Sequence, residues 1–155
     1  MNFNDVLSKR TNEIERPPIL PPGTYVAKVA KPPETDTKSS DKGNWDILDF
    51  TLLPVAATED VDTEALAAFG PLGPASAQRF SFMFNKDDEL AFNRTLFNLK
   101  RFLLDHLQLS GDDNSSIKEL LDQVVGTQCS IFVRWEADRN DPEIQYARIA
   151  RTGPA

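Results

Sequence analysis

The chain has 155 residues, enough for one domain with a sizeable core, and its hydrophobic (40%) and charged (26%) fractions are ordinary for a globular protein. No apolar run approaches the ~20 residues of a membrane-spanning helix, and the charged N-terminus lacks the apolar stretch of a signal peptide. The net charge of −7 argues against a strongly basic, non-specific nucleic-acid binder.

The N-terminal residues 1–23 are predicted to form an extended arm. Four prolines between positions 17 and 22 impose an extended chain before Gly23. The arm is also compatible with a single helical turn near its start, where three apolar residues are suitably spaced: Phe3, Val6 and Leu7.

Five segments combine alternating hydrophobicity with β-rich composition and predict strands: 24–31, 45–55, 78–85, 127–136 and 144–151. Alternation directs Leu48, Phe50 and Leu52 inward on the second strand, opposite Trp45, Ile47, Asp49 and Thr51. On the third strand it directs Phe80, Phe82 and Phe84 inward, opposite Arg79, Ser81 and Met83. Residues 31–44 predict a polar loop, and residues 57–76 an excursion with one short helix.

Two helices are predicted between the third and fourth strands. The first begins at an Asp87 or Asp88 N-cap and ends before Gly111. Its broad apolar stripe comprises Leu90, Leu96, Phe97, Leu99, Leu103, Leu104 and Leu107. The second starts at the capping box of Ser116 and Glu119 and ends at Gly126.

The resulting order of elements is β-β-β-α-β-β, the arrangement of an OB-fold, a partly open five-stranded Greek-key barrel. We therefore predict a mainly β protein with a single OB-like domain over residues 24–155. A helical insertion at about 87–125 separates its third and fourth strands, and the Pro-rich arm precedes it.

No catalytic, metal or cofactor site is predicted, so the chain is not expected to be an enzyme. The lone Cys129 excludes an intrachain disulfide, favours a reducing cytoplasm, and lies in an apolar strand without activating neighbours. Cys129 and His106, the single histidine, do not supply the four ligands of a typical zinc site. The acidic residues 87–89 fit helix capping better than metal binding.

Charge is unevenly distributed along the chain. The predicted barrel segments 24–56, 77–86 and 126–155 hold ten Lys/Arg against nine Asp/Glu, whereas the remainder holds seven against fifteen. The acidity therefore belongs to the arm, one loop and the helices, and the barrel is close to neutral.

Aromatic and basic residues around two loops indicate a nucleic-acid interface. Single strands are bound by stacking bases on aromatic faces while Lys and Arg contact phosphates. An OB barrel binds its ligand across strands 2 and 3, between the 1–2 and 4–5 loops. The predicted binding residues are Lys28, Lys38, Lys42, Trp45, Arg79, Arg134, Trp135, Tyr146 and Arg148.

Several of these residues have a purely structural alternative. Trp135 continues the apolar face of its strand and is equally suited to the core, and Tyr146 is suited to closing a barrel end. Lys38 and Lys42 alternate with acidic residues, as in an ordinary solvated loop. Trp45 is the strongest candidate, because it lies opposite the apolar face of the second strand.

The runs ERPPILPPGTYVAKV and KGNWDILDFTLLPV, separated by a polar loop, resemble the opening of bacteriophage single-stranded DNA-binding proteins. The matching positions are Pro22, Gly23, Tyr25, Lys42, Gly43 and Trp45. The resemblance implies an OB-fold that coats single-stranded DNA during phage replication and recombination, in the host cytoplasm and without a cofactor. It also implies replication or recombination proteins as partners and is compatible with a homo-oligomer. Because the chain ends YARIARTGPA rather than in an acidic tail, recruitment would fall to the acidic residues 57–64 or the helices.

A different class of function is also open. The acidic helices and the Pro-rich arm suit a non-enzymatic protein-interaction or assembly module. Salt distinguishes the two hypotheses, because phosphate contacts weaken as salt rises, whereas apolar docking depends on salt much less.

Overall fold

The computed structural model describes residues 2–155, which form six strands and four α-helices. The strands are β1 (Gly23–Val29), β2 (Glu34–Ser40), β3 (Gly43–Ala57), β4 (Gln78–Asn85), β5 (Gln128–Ala137) and β6 (Gln145–Pro154). The helices are α1 (Phe3–Leu7), α2 (Thr63–Phe69), α3 (Glu89–Arg101) and α4 (Ile117–Leu121).

The strands form one open antiparallel sheet in the order β2-β3-β1-β5-β6, with β4 also paired to β3. The long β3 organises this sheet, because β2 pairs with its residues 43–49 and β1 with its residues 52–57. β4 pairs with residues 45–52 of the same strand. β4 and β6 approach each other without pairing, so a groove is left between them.

The predicted polar loop at 31–44 was wrong in its central part, where β2 forms. Every residue of β2 is exposed, so its sequence lacks the apolar alternation by which the other strands are recognised. Pairing with β3 stabilises it through backbone hydrogen bonds, from Glu34 opposite Asp49 to Ser40 opposite Gly43. The sheet therefore has six strands rather than the five predicted.

The core forms where the sheet packs against α3 and α4. The inward residues predicted on β3 are buried, as are Phe82 and Phe84, whereas Phe80 is half-buried against the core edge. Phe102 follows α3 and contacts the Phe50 and Phe80 rings, with centroids 5.1 and 5.2 Å away. This aromatic cluster fixes the helical insertion against β3 and β4.

The helix that begins at the Asp88 N-cap is confirmed, but its apolar stripe is narrower than predicted. Leu99, Leu103 and Leu107 are buried, whereas Leu90 and Phe97 are 62% and 58% exposed. After Arg101 the helix widens to a π-turn over Phe102–His106, closed by the Leu107 N–H and the Phe102 carbonyl at 2.9 Å. The wider turn changes which side chains face the sheet.

The N-terminal residues join the domain at Leu20 and Pro21, both buried. The buried Tyr25 hydroxyl donates to the Pro21 carbonyl at 2.6 Å. Upstream, α1 and a 3-10 turn at Thr11–Glu13 are exposed, and an independent extended arm over 1–23 stays a prediction. Among the described residues, none of the helices has the length and apolar character needed to cross a membrane.

Candidate nucleic-acid interface

The outward face of β3 presents the residues that alternation predicted. Trp45 lies opposite Lys38 of β2 and Asn85 of β4, and Ile47 lies opposite Met83. Four residues further along the same face of β3, Thr51 lies opposite Arg79. Paired residues of adjacent strands share a face, so these side chains form one surface outside the core.

A groove of about 730 Å³, called the central groove below, opens between this surface and β6. It brings together four of the predicted binding residues, which are Lys38, Arg79, Tyr146 and Arg148. Met83 is 44% exposed and lies in the floor of the groove between β4 and β6. Residues that are distant in sequence thus form one site, because β4 and β6 leave their facing edges unpaired.

Arg79 is held in the groove by the carboxylate of Asp49. Its Nε donates to Asp49 Oδ1 at 3.0 Å, and the Ser81 hydroxyl donates to the same carboxylate. The hydrogen bond from Arg79 holds the pKa of Asp49 below its usual value, and Asp49 in turn raises the pKa of Arg79. The pair is charged at neutral pH, and most of the Arg79 side chain is exposed.

Arg148 has a similar support from Glu136. The Glu136 carboxylate lies 3.1 Å from Arg148 Nε and 3.2 Å from Arg134 Nη2. Arg134 and Arg148 are register partners on β5 and β6, so Glu136 links two neighbouring cations. Both arginines of the central groove, Arg79 and Arg148, are therefore paired with carboxylates that lie outside its lining, whereas Lys38 forms no salt bridge among the described residues.

The two aromatic candidates on β5 and β6 contact the N-terminal segment. The Trp135 indole N–H donates to the Leu20 carbonyl at 2.8 Å, and the ring is 45% exposed rather than part of the core. The Arg16 guanidinium lies over the Tyr146 ring, 4.8 Å from its centroid, and Tyr146 is 40% exposed. Arg16 therefore adds a cation beside the central groove.

Sequence reasoning missed Arg16, because no local pattern connects residue 16 with residue 146. Only the long-range contact between the N-terminal segment and β6 brings the two together. The Leu20–Trp135 hydrogen bond arises from the same juxtaposition. No sequence signal that we recognise would have revealed it.

Trp45 and Lys42 lie at the β2–β3 hairpin, beyond the central groove. The Trp45 ring is half-buried beside Gly43, whose φ of +137° disfavours a side chain, and it does not belong to the core cluster. Lys42 is exposed in the turn. Since Trp45 is the register partner of Lys38, the hairpin extends the surface of the groove.

Lys28 lies apart from the other predicted residues. It is exposed on β1, opposite Gln128 and Leu53, and does not line the central groove. The sequence placed Lys28 on a strand, but the sheet order puts β1 on the far side of β3 from β4.

The electrostatic character of the grooves changes across Arg79. The described residues 2–155 include all 24 Asp and Glu residues, and none of these lines the central groove. The neighbouring groove on the β2 side contains Glu34, Asp36 and Asp49 together with Lys31. Arg79 lines both grooves and forms the boundary between an acidic surface and one lined by cations.

The buried Cys129 thiol has low reactivity. Its side chain is fully enclosed in β5, and burial raises its pKa to about 12. A thiol that stays protonated at neutral pH is a poor nucleophile.

Comparison with known proteins identified no relative: no family model matches the chain, and no curated protein matches it significantly.

Proposed function

We propose that this chain is a non-catalytic single-stranded DNA-binding protein. The observation that carries the proposal is the central groove, where Lys38, Arg79 and Arg148 accompany Tyr146, and where the carboxylates that pair with the two arginines lie outside the lining. Cations beside an exposed aromatic ring are what a single strand requires, because bases stack on the ring and phosphates meet the cations. The bacteriophage resemblance supports the same function and implies a role in replication and recombination.

An OB-fold accounts for the position of this groove. The strand order β4-β3-β1-β5-β6, with β4 beside β6 and the helices between β4 and β5, is compatible with a partly open Greek-key barrel. In that fold the ligand lies on the face of the second and third barrel strands, which correspond here to β3 and β4. β2 then lengthens the loop between the first two barrel strands into a hairpin that carries Lys38 and Lys42.

The geometry favours single strands over duplex. Trp45, and Tyr146 on the side of its ring not covered by Arg16, can stack on any base through its π-face, a surface that base pairing and stacking conceal in duplex DNA. Asp49 and Glu136 orient the guanidinium groups of Arg79 and Arg148, and both arginine side chains stay mostly exposed to an incoming phosphate. Binding is therefore expected to show little base preference.

The test is a mobility-shift or fluorescence titration of matched single-stranded and duplex oligonucleotides across a salt series. Three phosphate contacts by Lys38, Arg79 and Arg148 predict a log–log salt slope of about −2 for single strands, at ~0.7 per contact. Affinity for the single strand should exceed that for the duplex. Equal affinity for both forms, or no binding of either at low salt, would contradict the proposal.

A second candidate function rests on α3. Its exposed Leu90 and Phe97 are spaced seven residues apart and therefore lie on one side of the helix, away from the buried Leu99. Such a surface suits a protein-interaction or assembly module. Binding of a protein through this surface would depend on salt much less than DNA binding and would be lost in Phe97→Ser, whereas DNA binding would not change.

A further inference from the structure

A second groove continues from the central groove toward the helices. It has a volume of about 550 Å³ and shares Phe80, Ser81 and Met83 with the central groove, so the two form one channel between β4 and β6. We call it the helix-side groove. It lies between the end of α3, the π-turn and the last part of β6.

The lining of the helix-side groove is also free of carboxylates. Its polar side chains include Thr95, Asn98 and Arg101 from α3, and His106 from the π-turn. The π-turn directs His106 to β6, where its Nδ1 lies 2.7 Å from the Thr152 hydroxyl. Polar side chains of α3 and the π-turn therefore line the helix-side groove, and one of them is hydrogen-bonded to β6.

Arg101 is the cation best placed to meet an anion there. It is exposed, lines the groove, and forms no salt bridge with any carboxylate among the described residues. Arg151 also lines the groove, but its guanidinium lies over the Phe132 ring, 4.4 Å from the centroid.

The groove on the β2 side of Arg79 is less favourable for a polyanion. Three carboxylates, Glu34, Asp36 and Asp49, line it against the two cations Lys31 and Arg79. A phosphate backbone leaving the central groove meets a small excess of negative charge there, whereas Arg101 attracts it on the helix side.

We infer that the helix-side groove is a second contact segment for the same single strand, with Arg101 as its phosphate-binding residue. This inference rests on the proposed function. A bound strand runs along the channel between β4 and β6, from Tyr146 and Arg148 to Arg101. It does not enter the groove on the β2 side of Arg79. Short oligonucleotides fill the central groove alone, and longer ones reach both grooves.

The test compares Arg101→Ala with Lys100→Ala, using oligothymidylates of about 5 and about 15 nucleotides, near the limits of known site sizes. Lys100 is the matched control, because it is the adjacent exposed cation of α3 and does not line the groove. Arg101→Ala should bind the long probe several-fold more weakly, with a salt slope shallower by about 0.7, and should bind the short probe like the wild type. Lys100→Ala should resemble the wild type with both probes.

Two results would separate the inference from the proposed function. If the wild type binds both probes but Arg101→Ala and Lys100→Ala give equal affinities, the second segment is wrong and single-strand binding stands. If the wild type binds neither probe, the proposed function itself fails. A melting curve of Arg101→Ala controls for folding, and Arg101→Lys should retain most of the binding to the long probe.

Discussion

At the scale of a single residue, substitution of Trp45 distinguishes a role in binding from a role in the fold. The ring is half-buried at the β2–β3 hairpin, outside the core, and Lys38 is its register partner. Trp45→Ala should weaken single-strand binding by ~1–3 kcal/mol, the value of one stacked base. The free energy of unfolding should fall by only about 1 kcal/mol, between a surface change and the ~3–5 kcal/mol of a buried Trp.

Binding titrations and denaturant unfolding of the same variant provide the check, with Trp45→Phe as the control. A phenyl ring retains a stacking face, so Trp45→Phe should recover most of the lost affinity. Intact binding together with a collapsed unfolding curve would assign Trp45 to the fold alone.

The two tryptophans illustrate what alternation does and does not predict about a site. Alternation correctly directed Trp45 away from Leu48, Phe50 and Leu52. It did not decide whether Trp135 is buried, because alternation places Trp135 on the same strand face as the fully buried Cys129, Ile131 and Val133. Trp135 lies past the last core residue of β5, and its environment is made by Leu20, more than a hundred positions away in the chain.

Among the elements, β1 is coupled to the N-terminal segment through Tyr25. Its buried hydroxyl donates to the Pro21 carbonyl, and burial together with the nearby Asp60 carboxylate raises its pKa to about 12. Tyr25→Phe keeps the ring but removes this hydrogen bond, so the free energy of unfolding should fall by about 1 kcal/mol. Urea unfolding at pH 7 measures the change.

The dependence of the free energy of unfolding on pH above pH 10 tests the same contact. The folded protein holds the Tyr25 proton up to about pH 12, whereas an unfolded tyrosine releases it near pH 10. Stability from this group is therefore complete below pH 10 and is lost as pH rises from 10 toward 12. Between pH 10 and 12 the wild type should lose the free energy of unfolding that the Tyr25 hydroxyl contributes, and Tyr25→Phe should not. If the free energies of unfolding of the two proteins fell in parallel with pH, the raised pKa of Tyr25 would be contradicted.

Elements with an apolar face were predictable, and those without one were not. The five alternating strands and the helix after Asp88 agree with the structure, because burial of one face leaves a periodic pattern. β2 is exposed throughout and is held by its pairing with β3, which no local pattern records. The π-turn after Arg101 depends in the same way on packing between Phe102 and the sheet, and it brings His106 to β6.

At the scale of the whole molecule, the carboxylates that dominate the composition lie outside the lining of the channel between β4 and β6. The chain carries −7, yet the channel between β4 and β6 is lined by cations and by no carboxylate. Salt screens exposed charges beyond ~8 Å at physiological ionic strength, so a bound strand experiences mainly the local surface. Net charge alone is therefore a poor guide to the ligand of this protein.

Two charge reversals that change the net charge equally put this reasoning to the test. Lys38→Glu and Lys28→Glu each lower the net charge by two, from −7 to −9, and both residues are exposed lysines on strands. Lys38 lines the central groove and Lys28 does not.

If the groove determines binding, Lys38→Glu should weaken single-strand affinity by about 1 kcal/mol or more and reduce the salt slope by about 0.7. Lys28→Glu should stay within about 0.3 kcal/mol of the wild type, because its charge is screened from the groove. Equal losses in the two variants would mean that overall repulsion governs binding, and they would leave the central groove without a role.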